Sequence, residues 1–369
     1  MESQPLAFLQ RELETLLDQS RAALAELIGA STAGLVFVNN ATAGVNTVLR
    51  SWQFQPGESL LVTDHGYNAC RNAVEFVAAR WQAQVRVARI PCPLVDGPPG
   101  SGSAADKIVA AIEQSLDPTV RMALIDHVTS PTGIVFPLAR IVKLLHQRGI
   151  IVIVDGAHAP GMLPLNVEQI GADFYTGNCH KWLCAPKGAG FLHVAPQWRE
   201  RLRTLVISHG ANSRRTDRSR LHLEFDWTGT GDPTPWICVA DAIDFLQRMP
   251  GGINEVMQRN RQLTLQARSH LLEHCQLQAT VEDEQCVGSI ASLILPELPP
   301  AERPTHELTI EQRLGLDPLQ IKLWRDDAIE VPVFNWPSPK LRILRIAAQQ
   351  YNDLNQYRFL ANALQKHLA

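Results

Sequence analysis

Residues 150–161 read IIVIVDGAHAPG. Five apolar residues run unbroken into Asp155, and turn-forming residues follow at once. A short apolar run closed by turn chemistry predicts a strand buried on both faces, as found in parallel sheets covered by helices. Working outward, the pattern repeats. Upstream, residues 138–147 have helical spacing, and residues 122–126, 85–90 and 60–63 read as strands. Residues 35–38, LVFV, predict another strand, and a helix follows with Val45, Val48, Leu49 and Trp52 on one face. Residues 6–28 carry Leu9, Leu13, Leu16, Leu17, Leu24 and Leu27 at the spacing of an amphipathic helix. Downstream, residues 174–176 and 190–194 are strand candidates. The alternation predicts an α/β fold: a large domain with a mainly parallel mixed sheet between helices. Ligands of such sheets sit at the carboxyl ends of the strands.

The pattern changes near Met249-Pro250-Gly251-Gly252. A polar helix over 254–275, a strand over 289–295, a Pro-rich loop at 296–304 and a closing strand and helix over 341–368 predict a smaller α+β C-terminal domain. The expected organisation is an N-terminal helical segment over 1–20, the large domain over 21–248 and the small domain over 249–369. Residues 96–103, DGPPGSGS, predict a surface loop; they lack the Gly-Lys-Ser/Thr of a phosphate loop.

With 45% hydrophobic and 19% charged residues among 369, the composition is that of a globular chain. A net charge of −3 gives no basic surplus for nucleic acid. No apolar run approaches the ~20 residues that span a membrane. Residues 1–14 lack a basic start and an apolar core, so no signal peptide is expected. The seven cysteines are scattered, with no C-x-x-C, which fits a reducing cytoplasm better than a disulfide framework.

Four segments carry candidate chemistry. Asp155, at the mouth of a buried strand, needs a cation or several donors. A protonated pyridine nitrogen would serve and would make pyridoxal phosphate an electron sink; a helix cap or a metal ligand are the other readings. Lys181 lies in YTGNCHKWLCAPKGAGF (175–191), among small and apolar residues. A desolvated lysine becomes a nucleophile toward an aldehyde; the other reading is a solvated lysine. Cys179, His180 and Cys184 match no usual zinc spacing, and no metal is expected. VNNATAGVN (38–46) joins a strand to a helix, where free N–H groups and the Thr42 hydroxyl suit a phosphate, or Thr42 or Asn40 is simply the helix cap. In LRIAAQQYN (344–352), Arg345 sits within an apolar run and needs an anion, either a substrate α-carboxylate or a structural partner.

The ordered set NAT, DH, SPTG, DGAHAPG, GNCHKW, PKGAGF, GTGDPT and RIAAQQYN resembles the class V aminotransferase family of pyridoxal-phosphate enzymes, with the aspartate-aminotransferase type of fold. Within the family it is similar to the isopenicillin N epimerase-like branch, from about Phe8 to Tyr351. The resemblance implies that Lys181 holds the cofactor as a Schiff base, that Asp155 partners the pyridine nitrogen, and that His65 stacks on the ring. It further implies that His158 bonds the phenolic oxygen and that Thr42, the Ala41 backbone, Asn178 and His180 contact the phosphate. Thr230 is implied to reach a neighbouring subunit's phosphate, hence a homodimer with shared sites, and Arg345 to grip a substrate carboxylate. Ser130 and Thr132 are placed near the ring. Relatives usually begin earlier, with an Asn-His-Gly-containing segment that reaches the active site and that this chain lacks, which bears on substrate binding. Ala347 stands where Ser is usual.

The implied reaction joins an amino acid to the cofactor as an external aldimine, after which Lys181 removes the α-proton. The first expectation is an epimerase or C–S lyase acting on a cysteine-derived substrate; the alternatives are an aminotransferase and a non-catalytic binding protein. A nucleotide-binding α/β protein would need a G-x-G-x-x-G after a strand, which is absent. Residues 322–345 contain no cysteine, which argues against a persulfide-type desulfurase. Epimerisation needs a second acid, for which Tyr67 and His209 are candidates by residue type.

Overall fold

The computed structural model describes residues 3–95, 102–297, 314–337 and 341–368. Most of the expected loop at 96–103 and of the Pro-rich loop at 296–304 lies outside the described residues. The chain forms two compact units. The first comprises Met1–Ile90, Val109–Val128 and Phe136–Met257; the second comprises Pro91–Ile108, Thr129–Val135 and Gln258–Ala369.

The first unit is built on seven strands: β1 (Leu35–Val38), β2 (Ser59–Thr63), β3 (Gln84–Ala88), β4 (Val120–Asp126), β5 (Ile151–Gly156), β6 (Phe174–Asn178) and β7 (Gly190–Val194). Their order is β1-β7-β6-β5-β4-β2-β3. Strands β3, β2, β4, β5 and β6 run parallel, and β7 is antiparallel to both β1 and β6. The mixed, mainly parallel sheet matches the sequence expectation. Val152, Ile153 and Val154 of β5 are fully buried, as a central parallel strand requires. Strand β6 runs on through Gly177 to Asn178, beyond the apolar residues that mark it in the sequence, because ladder pairing to β7 continues to Asn178↔Gly190.

Helix Ala41–Arg50 buries Ala41, Gly44, Val45, Val48 and Leu49, one face of a 3.6-residue period. It starts at Asn40, whose side chain accepts the Ala43 N–H at 2.8 Å. Gly44 lets it lie directly on the sheet: a Cβ there would come within 2.1 Å of the Thr176 Oγ1. Helix Leu138–Gln147 buries Leu138, Ile141, Val142 and Leu145 in the same way. The long N-terminal helix of the sequence reading is a π-helical turn at Phe8–Glu12 followed by helix Leu13–Ile28. Its buried Arg21 pairs with Asp226 at 2.5 Å and with Asp18, and its Nε donates to the Leu35 carbonyl at 3.0 Å.

The second unit has an antiparallel sheet of β8 (Gln278–Ala279), β9 (Ile290–Leu295), β10 (Val333–Asn335) and β11 (Arg342–Ala347), in the order β10-β11-β9-β8. Helices Pro318–Asp327 and Leu354–Leu368 belong to it. Its core includes Leu293, Leu323, Ile343, Leu344 and Leu364. The Arg342 guanidinium donates to both oxygens of Asp317 at 2.7 and 2.6 Å, and both residues are buried. Asp317 also caps helix Pro318–Asp327 by accepting the Leu319 N–H.

Two outcomes follow from these interiors. Asp317→Ala removes a cap and leaves Arg342 buried without its carboxylate, so it should cost about 3–5 kcal/mol in a denaturant titration. His193, on β7, is buried with neither ring nitrogen hydrogen-bonded, and burial pushes its pKa down to about 4. The native state therefore binds fewer protons than the unfolded chain between the two pKa values. The stability His193 contributes is present above about 6.5 and is lost as pH falls toward 4. Thermal melts of His193→Phe should show a shallower loss over that window than the wild type, and equal slopes would refute the account.

Candidate active site

The carboxyl ends of the parallel strands gather the candidate residues of the first unit. Asp155 ends the apolar run of β5 and Asp126 ends β4, and the two are Cα partners in the ladder. Both are buried. Asp155 Oδ1 accepts the Ala157 N–H at 3.0 Å, and Oδ2 accepts the Cys70 thiol at 3.2 Å. Burial raises the pKa of Asp155, opposed by the thiol, the Ala157 N–H and the field of Lys181. Burial and the Asp155 charge push Asp126 well above the usual carboxylate range, against the Tyr67 N–H, its own N–H and Lys181.

Lys181 lies in the turn after β6, which is closed by Cys179 N–H to Ala189 O at 2.9 Å and Cys184 N–H to Lys181 O at 3.3 Å. Its Nζ is 3.1 Å from His158 Nε2. The Trp182 indole N–H donates to His158 Nδ1 at 3.4 Å. The Nζ contact sets the Lys181 amine against the imidazole of His158.

His65 follows β2 and is fully buried, with Nε2 3.4 Å from the Ile90 carbonyl and its ring 6.1 Å from that of Phe136. Burial pushes its pKa down to about 3, so the ring is a neutral flat surface. At the start of helix Ala41–Arg50, the Ala41 N–H donates to Asn178 Oδ1 at 2.8 Å. The Thr42 side chain lies near the Cys70 thiol and acts to lower its pKa, and that thiol donates to Asp155. His180 Nδ1 donates to the Ala189 carbonyl at 2.8 Å.

The structure therefore brings together Ala41, Thr42, Asn178, Asp155, Lys181 and His158. Thr230 and His209 line a different cavity of about 530 Å³, with Leu13, Arg215 and Trp227, and none of its lining residues belongs to the Asp155 cluster. The Tyr67 side chain is exposed; only its backbone N–H reaches Asp126. In the second unit Arg345 donates to the Ser130 carbonyl and, at 3.3 Å, to the Ser130 hydroxyl, and lies 6.0 Å from the Phe334 ring centroid. Thr132 hydrogen-bonds Thr129 through their hydroxyls at 2.7 Å. Burial pushes the Cys179 thiol up, away from the thiolate a metal would need. Cys70 and Asp126 are members of the cluster that sequence reasoning gave no role. The signal for Asp126 was available, since it too closes an apolar strand.

Residues 6–303 match the family described as Aminotransferase class-V. The chain belongs to this family. It is a pyridoxal-phosphate-dependent enzyme with the aspartate-aminotransferase type of fold. Among similar proteins, isopenicillin N epimerase of Streptomyces clavuligerus is 33% identical, covering 98% of this chain and 87% of that one. A putative L-cysteine desulfhydrase 1 of Oryza sativa subsp. japonica is 30% identical over 100% of this chain and 78% of its own length. In fold the chain is similar to the cystine C–S lyase C-DES, solved with its reaction product cysteine persulfide, with a TM-score of 0.76 and 21% identity, covering 96% of this chain and 87% of that one.

The residues of this class-V chain fit the family's cofactor. Asp155 is a buried carboxyl group at the mouth of its strand, and a protonated ring nitrogen would balance its charge. The neutral face of His65 suits an aromatic ring. A helix start beside a hydroxyl and a carboxamide suits a phosphate.

Proposed function

We propose that this class-V enzyme cleaves a C–S bond in a cysteine-derived amino acid, with Lys181 as the amine that joins the cofactor and then moves the α-proton. Asp155 would hold the ring nitrogen, His65 stack on the ring and His158 meet the phenolic oxygen. Ala41, Thr42, Asn178 and His180 would hold the phosphate. When bound, pyridoxal phosphate supplies an electron sink for the charge left by the departing α-proton. The observation that carries the reading is Lys181 Nζ at 3.1 Å from His158 Nε2, which places the amine among the residues gathered around Asp155.

Two outcomes compete after proton removal. Epimerisation needs an acid on the opposite face, whereas loss of a β-sulfur substituent needs only the one base. The Tyr67 side chain is exposed and His209 lines another cavity, which supports the lyase over the epimerase. The names of the relatives, an epimerase and cysteine desulfhydrases, support a cysteine-related substrate. The absence of cysteine from residues 322–345 supports release of the sulfur product without a protein persulfide.

Arg345 would bind the α-carboxylate, its guanidinium already oriented by Ser130. We further place the active enzyme as a homodimer, with the exposed Thr230 directed to the partner's phosphate. Among the described residues no helix is long and apolar enough to cross a membrane. None of the seven cysteines is in a disulfide, which supports a reducing cytoplasm.

Lys181→Ala should abolish the cofactor's visible absorption band, read in the purified protein. Its persistence would refute the assignment. Arg345→Ala should raise KM for amino acids at least about tenfold, the loss of one charge-assisted contact, with cofactor retention little changed. An unaltered KM would remove the carboxylate role. Titration with cysteine and cystine, followed by product analysis, distinguishes the reactions: pyruvate with a released sulfur product marks the lyase, and an inverted amino acid marks the epimerase.

A further inference from the structure

Asp126 and Asp155 close neighbouring parallel strands as register partners. Partnered residues of a parallel pair project from the same face, on strands about 4.8 Å apart, so the two carboxyl groups are immediate neighbours. Both residues are buried, at 4% and 3% exposure. Two full negative charges at that spacing, away from water, repel strongly, and one of a close carboxyl pair keeps its proton.

The donors are shared unequally. Asp155 receives the Cys70 thiol and the Ala157 N–H, at 3.2 and 3.0 Å, while Asp126 has near it the Tyr67 N–H, which favours its charged form. Lys181 acts on both. The other titratable groups close by add no positive charge. Cys70 is held as the thiol by burial and by the two carboxylates, Tyr175 is held as the phenol by burial and Asp155, and His127 is neutral through burial.

We propose that the pair carries one proton and that Asp126 holds it, leaving Asp155 as the single negative charge presented to the ring nitrogen. The inference rests on the reading of Asp155 as that nitrogen's partner. Asp126 is then a positioning residue. As a neutral acid it spares the site a second charge. The direction in which burial and Asp155 move its titration agrees with this assignment.

Infrared difference spectroscopy of the holoenzyme at neutral pH tests it. The wild type should show the carbonyl stretch of a protonated carboxyl, shifted in heavy water and lost in Asp126→Asn. Should that variant not fold, Asp126→Glu is expected to move the frequency of the band, while Asp155→Glu leaves a protonated aspartic acid in place. A wild type without the band, or a band that survives Asp126→Asn and is unmoved by Asp126→Glu, overturns the proposal. Cofactor retention in Asp155→Asn is a separate readout. If it is unchanged, the reading of Asp155 fails and the proposal with it, while the infrared band still reports where the proton resides.

Discussion

The structure of the first unit turns on one requirement, that a carboxylate be kept at the mouth of a strand whose other residues are hydrocarbon. Asp155 follows Val152, Ile153 and Val154, all without exposure, and is itself 3% exposed. An ion there is tolerable only with donors and a countercharge close by. The chain supplies the donors locally, from Ala157, and at long range, from Cys70. The ladder then dictates the remaining neighbours. Register places Asp126 on one side of Asp155 and Thr176 on the other. A parallel sheet thereby collects, at one edge, residues that lie far apart in the sequence.

Small residues let the layers close over that edge. A Cβ on Gly156 would come within 2.4 Å of the Tyr175 ring, one on Gly177 within 2.7 Å of Phe191, and one on Gly44 within 2.1 Å of Thr176. The start of helix Ala41–Arg50 can therefore lie against the ends of β5 and β6. Thr42 of its first turn lies near the Cys70 thiol that donates to Asp155. The start of that helix and the mouth of β5 are therefore neighbours in one packed cluster.

Much of this was legible in the sequence, for identifiable reasons. The strand of 150–154 announces itself because both its faces are buried and every position is apolar. Asp155 stands out because a charge follows such a run. The same logic applies to residues 122–126, yet Asp126 drew no role, because nothing local distinguishes a carboxylate that meets a ligand from one that meets another carboxylate. Cys70 was illegible for a different reason. It lies in helix Asn68–Trp81 as one more small apolar residue, and its partner is 85 positions away. The extension of β6 through Gly177 and Asn178 escaped notice because ladder pairing, and not hydrophobicity, holds those residues in the strand. The ion pair of Arg342 and Asp317 joins residues 25 positions apart, a separation at which charge pattern carries no register.

The hydrogen bond between the Ala41 N–H and Asn178 fixes more than a loop. Because the carbonyl end of the amide is occupied by that donor, the –NH2 end must face the opposite way. Whatever lies beyond Asn178 meets two hydrogens and no lone pair. A carboxylate could take over the tie to Ala41 equally well and would preserve the backbone, but it would turn a lone pair toward the same space. The orientation of one neutral side chain therefore sets the polarity of that corner of the protein, without any net charge being spent on it.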